Sequence, residues 1–307
     1  MLHGVINIKK EKGYTSHDVV AKMRGILRQK KIGHTGTLDP DATGVLPVCL
    51  GAGTRLCDML TDTDKCYRAV MLLGVATDTQ DITGTVESRR EVTAPEDEVR
   101  EAVLSFTGEY DQIPPMYSAL KQNGKKLYEL AREGKVVERK ARRVMIREIL
   151  IESVELPRVT MTVKCSKGTY IRTLCHDIGE KLGCGACMES LVRTGVGSFR
   201  IEDAVTLSEL EAALQKDRDL KSLVIPVDGM LTQYPAKKVK EGWDRMLYNG
   251  NLLPADQLED AGAGERTEDG QSFRIYDSRG QFCGVYELDS DNGRYRPVKM
   301  FLDCADR

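Results

Sequence analysis

Residues 33–44, GHTGTLDPDATG, have the composition of a reactive loop. They contain three glycines, three threonines, one histidine and two aspartates, with very little apolar surface. Such a segment contributes little to a hydrophobic core, and its glycines permit the tight or positive-φ conformations of a loop held on a rigid scaffold. The same composition also fits an ordinary turn stabilised by Asp39 and Asp41.

Two chemistries could use these aspartates. Asp39, Asp41 and Thr43 form a D-x-D-x-T pattern, which in a phosphotransferase combines a nucleophilic carboxylate with magnesium. That pattern normally follows a hydrophobic strand, whereas Lys31 and His34 precede this one. No Gly-Lys-Ser/Thr follows the glycines, so the segment is not a P-loop. In the alternative chemistry, one carboxylate works on a sugar carbon or a base while His34 and basic residues hold a polynucleotide.

A basic segment suitable for a polynucleotide occurs at residues 121–147. It contains 10 basic and 3 acidic side chains, a net charge of +7, in a chain whose overall formal charge is -2. Its Lys and Arg residues are interleaved with Tyr128, which suits a phosphate backbone with stacked bases. A solvated basic helix followed by a strand is the alternative interpretation.

The elements that position these residues alternate irregularly between strand and helix. The hydrophobic patterns predict strands at 4–8, 67–73, 144–156 and 159–166 and helices at 15–28, 95–108 and 171–183. The second of these helices carries Val99, Val103 and Leu104 on its apolar face. We expect Ser16 or Thr15 to cap the first helix, and Ser208 with Glu211 to form a capping box for a short helix that ends near Leu214. The first 230 residues therefore predict an α+β domain with an extensive sheet.

A second domain is predicted from about Pro235 to the end, where short β-like segments are separated by turn residues. Residues 231–307 carry 11 basic and 14 acidic side chains, which argues against a strong general grip on RNA. We therefore expect two domains, 1–234 and 235–307.

Nine scattered cysteines, with no export signal or apolar run of membrane-spanning length, predict reduced thiols in a cytoplasmic protein. A zinc site built from Cys175, His176, Cys184 and Cys187 is conceivable. However, neighbouring residues 175 and 176 would point apart on a helix, and glycines flank Cys184, so small buried thiols are favoured and no metal is expected.

Four blocks of this sequence resemble the TruB family of tRNA pseudouridine synthases in the family's order. They are GHTGTLDPDATGVLPVCLGAGTR at 33–55, DKCYRAVMLLGVATDTQDITG at 64–84, IPPMYSALKQNGKKLYELAREG at 113–134 and CSKGTYIRTLCHDIGEKLGCGA at 165–186. The resemblance implies an α+β pseudouridine synthase domain with a large mixed, mainly antiparallel sheet, followed by a small PUA-like β-barrel. It also implies isomerisation of the uridine at position 55, in the T loop of tRNA.

The resemblance also implies the roles of individual residues. Asp39 becomes the catalytic aspartate, and Arg172 the partner that holds Asp39 ionised and oriented. Tyr67 becomes the active-site tyrosine that stacks on the base and is a candidate for proton removal. Tyr170 and Leu191 line the pocket, and His34 fills the space left by the flipped nucleotide. The remaining substrate contacts expected are Lys10, Lys121, Lys125, Lys126 and Arg142, although Glu11 stands where the family usually has proline.

The family resemblance makes residues 113–147 an RNA-gripping insertion that orders on binding. It implies no cofactor and no metal, the T arm of tRNA as the partner, and a monomer without an obligate protein partner. The 235–307 domain would contact the acceptor region of the tRNA. A binding-only hypothesis remains open, in which the protein is a chaperone that opens and refolds the T arm without chemistry.

Overall fold

The computed structural model describes residues 1–215, 220–260 and 268–302. Its strands are β1 Gly4–Lys10, β2 Ile32–His34, β3 Thr43–Leu50, β4 Lys65–Leu73, β5 Val75–Thr77, β6 Val86–Arg89, β7 Gly108–Gln112, β8 Lys121–Gln122, β9 Lys125–Lys126, β10 Arg142–Glu155, β11 Arg158–Cys165, β12 Ala186–Val196, β13 Phe199–Arg200, β14 Ala236–Val239, β15 Leu253–Pro254, β16 Leu258–Asp260, β17 Ser272–Tyr276, β18 Phe282–Asp289 and β19 Arg294–Met300. Its helices are α1 Ser16–Leu27, α2 Cys57–Thr61, α3 Glu96–Leu104, α4 Leu127–Arg132, α5 Ile171–Lys181, α6 Leu207–Gln215 and α7 Asp244–Tyr248. Within these described ranges, no helix is both long and apolar enough to cross a membrane.

A nine-stranded sheet forms the centre of the molecule, in the order β1-β3-β12-β4-β11-β10-β7, with β2 paired to β3 and β13 to β12. All of these pairs are antiparallel except β12 with β3. This arrangement confirms the predicted α+β class and the mixed, mainly antiparallel sheet. The parallel pair places the end of the 33–44 loop beside β12, because Thr43 and Gly44 register with Val192 and Arg193.

Strand β4 shows how the sequence directs side chains toward the site. Tyr67, Ala69, Met71 and Leu73 are all buried, while Arg68 between them is exposed, as expected for a strand whose successive side chains face opposite sides. The buried side packs in one hydrophobic cluster with α5, including Leu174. Tyr67 and α5 therefore lie on the same face of the sheet.

Helix α1 forms as its local sequence predicts. Thr15 is the N-cap: its hydroxyl accepts a hydrogen bond from the Asp18 amide, and the Asp18 carboxylate accepts one from the Thr15 amide, at 3.1 and 2.8 Å. This reciprocal pair satisfies two amides that the first helical turn would leave without partners. The apolar face of α1, including Val19 and Met23, is buried against the β1 and β3 side of the sheet.

Two local predictions were wrong. The capping box of α6 uses Thr206 and Glu209 rather than Ser208 and Glu211, because the helix begins one residue before Ser208. Leu104, predicted to face the core from α3, is 48% exposed at the end of that helix. Both segments fit several helical registers locally, and packing against the sheet selects one of them.

The C-terminal region forms a separate six-stranded sheet, in the order β15-β19-β18-β17-β14-β16. It is a nearly closed, barrel-like sheet around its own core, which includes Phe273, Tyr286 and Tyr295, and it fits the predicted PUA-like barrel. Val285 and Phe301 extend from it into an apolar cluster shared with the β1 and β3 side of the large sheet. The two sheets are therefore packed together through a common hydrophobic contact.

The cysteines considered for zinc are buried thiols. Cys175 and Cys187 have no exposed surface and Cys184 has 6%, and burial raises the pKa of Cys187 to about 11. In the part of the chain that the structure describes, no three His, Cys, Asp or Glu side chains are grouped so as to hold a metal ion. The arrangement favours packing as the role of these thiols.

Candidate active site

The catalytic-loop candidate connects β2 to β3 and is supported from below by two buried polar side chains. The Ser16 hydroxyl accepts a hydrogen bond from the Leu38 amide at 2.9 Å. The Lys10 ammonium donates to the carbonyls of Pro40 and Ala42 at 3.0 and 2.6 Å. These bonds fix the backbone on both sides of Asp39.

The position of Lys10 corrects a sequence-based expectation. We predicted it as a substrate contact, but it has no exposed surface, and its ammonium also donates to the Glu11 carbonyl at 3.1 Å. Desolvation lowers the pKa of Lys10 to about 8, against the opposing effects of Asp39 and Asp41. Lys10 therefore supports the loop and adds positive potential below it.

Asp39 forms an ion pair with Arg172, as the sequence comparison implied. One guanidinium nitrogen of Arg172 lies 3.2 and 3.1 Å from the two carboxylate oxygens of Asp39, and the same nitrogen donates to the Tyr117 carbonyl at 2.8 Å. The Arg172 side chain is 7% exposed, whereas that of Asp39 is 41% exposed. The arginine is thus a buried anchor, and the carboxylate stands at the open side of the pair.

The ion pair orients Asp39 but does not lower its pKa overall. Loss of hydration in the surroundings of the carboxyl group raises its pKa above the ordinary value, Arg172 and Lys10 oppose this rise, and Asp81 and Asp41 add to it. Because the Asp39 side chain keeps contact with solvent, the net rise is that of a partly screened group. Arg172 therefore offsets only part of the desolvation that a closed pocket imposes.

An apolar wall stands beside Asp39. Leu38 and Ala42, on either side of Asp39 in the loop, belong to the same buried cluster as Tyr67 and Leu191. Tyr67 and Leu191 come from the paired strands β4 and β12 and are each 9% exposed. An aromatic ring and a branched aliphatic chain form a surface on which a planar base can stack.

Tyr170 closes another side of the site at the N-cap of α5. Its amide donates to the Gln112 side chain at 2.7 Å, and the Gln112 amide returns a bond to the Tyr170 carbonyl at 3.0 Å. Burial raises the pKa of the Tyr170 phenol, although the charge of Arg172 opposes the rise. These two hydrogen bonds to β7 fix the start of α5, the helix that carries Arg172.

Arg193 is a site residue that the sequence analysis missed. It is 1% exposed, and its guanidinium donates to the carbonyls of Val45, Thr37 and Gly36 at 2.7, 3.4 and 3.4 Å. Its charge also acts on Tyr67. Its place two residues after Leu191, on the same side of strand β12, was the signal that could have identified it.

Arg193 places a positive charge beside both the catalytic loop and Tyr67. Burial is the main cause of the raised pKa of Tyr67, and the charge of Arg193 opposes it. The phenol is therefore protonated at neutral pH. One buried guanidinium thus fixes the loop backbone through hydrogen bonds and acts on Tyr67 through its charge.

The segment 78–84 supplies a second acidic neighbour that sequence reasoning did not identify. The Asp81 carboxylate lies 3.8 Å from the other guanidinium nitrogen of Arg172, and Gln80 accepts a hydrogen bond from the Thr173 hydroxyl at 2.7 Å. Arg172 is therefore held from two sides, by Asp39 and by Asp81. Only the sequence motif around these residues, not their spacing, could have suggested this contact.

His34 lies at the end of β2, at the start of the catalytic loop. Its ring meets the His17 ring edge to face, with centroids 5.2 Å apart. Burial, with a further contribution from His17, lowers the pKa of His34, so its imidazole is neutral at pH 7. A neutral ring can enter a stack of bases without bringing a charge into it.

The predicted insertion borders the site through its first part. The Tyr117 carbonyl accepts a hydrogen bond from Arg172, and the Ser118 carbonyl accepts one from the Tyr128 amide at 3.1 Å. Beyond it lie the β8–β9 hairpin and the short helix α4. The predicted contacts Lys121, Lys125 and Arg142 are exposed and Lys126 is half-buried.

These basic side chains do not converge on Asp39. Lys125 pairs with Glu133 at 3.0 Å, and the Lys126 ammonium lies 5.3 Å from the centre of the Tyr128 ring. Arg142 begins β10 and is close enough for its charge to act on Tyr170. The insertion thus forms one basic rim of the site.

The geometry separates the two aspartates of the D-x-D-x-T pattern. Asp39 faces Arg172, whereas Asp41 faces Lys12 at 3.6 Å with 52% of its side chain exposed. A phosphotransferase loop would use the two carboxylates together. A single oriented carboxylate beside an aromatic wall suits covalent or electrostatic attack on a nucleoside.

Comparisons with known proteins agree with this geometry. Residues 24–171 match the model of the TruB family pseudouridylate synthase N-terminal domain, and residues 172–232 match that of the tRNA pseudouridylate synthase B C-terminal domain. The chain is 54% identical to the tRNA pseudouridine synthase B of Lachnoclostridium phytofermentans, over 98% of this chain and 100% of the relative. It is 45% identical to the protein of the same name from Burkholderia mallei, over 99% and 98% of the two chains.

Solved structures show the same fold at lower identity. An H/ACA RNP bound to a substrate RNA containing 2′-deoxyuridine has a chain that matches with a TM-score of 0.71 and 26% identity, over 98% of this chain and 86% of that one. A Cbf5-Nop10-Gar1 complex gives 0.70 and 28%, over 98% and 85%. The carboxylate–guanidinium pair, the sheet that carries it and nearly full-length similarity all lead to one assignment: this chain belongs to the TruB family of pseudouridylate synthases.

Proposed function

We propose that this protein is a tRNA pseudouridine synthase that isomerises the uridine at position 55, in the T loop of tRNA. Its family and its relatives named tRNA pseudouridine synthase B support pseudouridine formation in tRNA. The observation that carries the assignment is the Asp39–Arg172 ion pair at 3.1 Å, with an apolar and aromatic wall beside it.

The reaction rearranges one nucleotide without net oxidation. The bond between uracil N1 and ribose C1′ breaks, the uracil turns, a bond forms between C5 and C1′, and the proton on C5 is lost as N1 gains one. Asp39 supports this by adding to C1′, by adding to the uracil ring, or by assisting a glycal intermediate. In each route, a carboxylate whose position is fixed before the substrate arrives lowers the cost of reaching the transition state.

The pocket residues have distinct proposed roles. Tyr67 and Leu191 hold the uracil by stacking, and Tyr170 narrows the cavity so that the detached base does not escape. Because the pKa of Tyr67 is raised, its phenol is a better stacking group and hydrogen-bond donor than a base at neutral pH. Arg172 is the group that positions Asp39.

The residues at the entrance of the site have proposed roles in base flipping. A nucleotide inside a folded T loop reaches Asp39 only when it leaves its stack. His34, neutral and close to the loop, fills the vacated space, while Lys121, Lys125, Lys126 and Arg142 bind phosphates from the insertion rim.

The domain roles follow from the same proposal. Residues 1–234 form the catalytic domain, and residues 235–307 form a PUA-like domain that contacts the acceptor region of the tRNA. The protein acts as a monomer in the cytoplasm, where tRNA is its partner, and needs neither a cofactor nor a protein subunit.

A matched pair of loop variants tests the proposal. Purified protein is incubated with an unmodified tRNA transcript in EDTA, and pseudouridine is mapped by carbodiimide-dependent stops of reverse transcription. We expect a stop at the T-loop uridine with wild type and with Asp41→Asn, and none with Asp39→Asn, which should still bind tRNA. Pseudouridine formed by Asp39→Asn would contradict the role of Asp39, and a wild-type protein without activity would contradict the function.

A chaperone role is a second, separable part of the proposal, supported by the basic rim and His34 beside a site that must open the T arm. Asp39→Asn keeps these features and removes only the carboxylate charge. We therefore expect it to restore misfolded tRNA as well as wild type does, measured by aminoacylation after refolding. Loss of rescue in this variant would show that folding depends on catalysis.

A further inference from the structure

A second rim of the site is formed by α1 and β2, which precede the catalytic loop in the sequence, whereas the insertion follows it. Helix α1 starts next to the catalytic loop, because the Ser16 hydroxyl accepts from the Leu38 amide at 2.9 Å. The next residue, His17, contacts His34 at the end of β2. An RNA with its uridine at Asp39 and its loop around His34 therefore passes close to the start of α1.

This rim is basic. Residues 12–38 contain six Lys and Arg residues and one acidic residue, Asp18. Asp18 is occupied by the N-cap of α1, where it accepts hydrogen bonds from the Thr15 amide and hydroxyl at 2.8 and 2.7 Å. From the neighbouring helix α6, Glu211 acts on Lys22. Arg24 lies further along the helix, and Arg28 and Lys30 follow its last residue, Leu27.

Those cations follow His17 to the end of α1. His17, Ala21 and Arg24 share one face of the helix and are exposed, and at a rise of about 1.5 Å per residue Arg24 lies about 10 Å along the axis from His17. Arg28, also exposed, is the C-cap of α1, where its left-handed backbone, with a φ of 49°, ends the helix. The exposed Lys30 follows it in the chain, and its backbone carbonyl accepts a hydrogen bond from Arg24 at 3.1 Å.

Arg24 also joins α1 to the start of β2 through hydrogen bonds that do not neutralise its positive charge. Its second guanidinium contact is the Ile32 carbonyl, at 3.2 Å. Both partners of Arg24 are therefore backbone carbonyls, which carry no charge. They lie just before β2 and at its first residue, and this strand ends at His34. We call His17, Arg24, Arg28 and Lys30 the α1 basic strip.

We propose that the α1 basic strip binds backbone phosphates of the RNA beyond His34, as a contact surface separate from the insertion. This inference rests on the proposed tRNA substrate and adds a contact surface to it. Three exposed cations on the last turn of α1 and just after it suit a polyanion that runs along the helix, and exposed small residues at Ala21 and Gly25 let a backbone approach closely. The tRNA thus meets a second basic surface in addition to the insertion.

The test measures tRNA binding as a function of salt. The variant Arg28→Gln with Lys30→Gln removes two charges and keeps Arg24 in place. The matched variant Arg28→Lys with Lys30→Arg changes the same two side chains but conserves both charges. Arg89→Gln with Lys164→Gln removes two exposed charges elsewhere and serves as the control. Dissociation constants for an unmodified tRNA transcript are measured from 50 to 300 mM KCl, and circular dichroism checks that each variant is folded.

We expect the Gln double variant to bind about tenfold more weakly at the lowest salt. Its slope of log affinity against log salt should be shallower by about 1.4 to 1.8, since each phosphate contact contributes about 0.7 to 0.9. The charge-conserving variant and the control should match wild type.

An unchanged affinity and slope in the folded Gln variant would overturn the proposal, because the strip would then not contribute to tRNA binding. An equal loss in the charge-conserving variant would also overturn it, because the effect would then not follow charge. Failure of the proposed function is a different result: wild-type protein would form no pseudouridine, whatever the strip variants do to binding.

Discussion

Replacing Arg172 by glutamine removes the charge that faces Asp39, and the structure predicts how far the pH dependence should move. At the 3.1 Å separation of this pair, two unit charges interact by about 5 kcal/mol at an effective dielectric constant of about 20 and by about 1.3 kcal/mol in bulk water. Because the Asp39 side chain is 41% exposed, the interaction lies toward the screened end. A loss of about 1.5 to 2.5 kcal/mol raises the pKa of Asp39 by about one to two units.

The sign follows from which form of Asp39 reacts. Arg172 lowers the pKa of Asp39 against the rise that desolvation causes, so its removal raises the pKa further. The ionised carboxylate then forms only at higher pH. The acidic limb of the rate profile should therefore move upward by about one to two pH units, and the rate below the limb should fall with it.

Single-turnover rates, followed as tritium release from C5 of the target uracil between pH 5 and 9, measure this limb. Arg172→Lys is the matched control, since it keeps the charge but loses the guanidinium contacts to Asp39 and the Tyr117 carbonyl. It should react more slowly with little movement of the limb. A limb in Arg172→Gln at the wild-type pH, or an equal movement in Arg172→Lys, would refute the electrostatic reasoning.

Further predictions concern stability and reactivity. Arg193→Met should lower the free energy of unfolding in urea by about 3 kcal/mol, because one buried and two partly buried backbone carbonyls lose their donor; an unchanged midpoint would contradict this. Thr206→Ala should cost about 1 kcal/mol in the same assay through loss of the α6 cap, whereas Ser208→Ala should not. Burial raises the pKa of Cys165 to about 12, so iodoacetamide at pH 8 should leave this thiol unmodified until the protein unfolds, as peptide mapping would show.

The sequence by itself determined the elements whose signals are local. Thr15 and Asp18 are three residues apart, which is all that a capping box requires, so the start of α1 could be predicted. The alternation around Tyr67 predicted a strand, and the glycine-rich composition of 33–44 predicted a loop. Similarity to a family then assigned Asp39 and Arg172 to one site although 133 residues separate them.

Only the tertiary structure determined which charged side chains are buried and which groups they contact. Arg193 and Lys10 resemble ordinary surface cations in the sequence, but the folded chain buries both beneath the catalytic loop, where their donors meet backbone carbonyls. Asp81 became a partner of Arg172 in the same way. Burial and hydrogen bonding depend on neighbours brought together from distant strands. Local pattern therefore predicts where an element forms, whereas the packing of the sheet determines what each charge contacts and how its pKa moves.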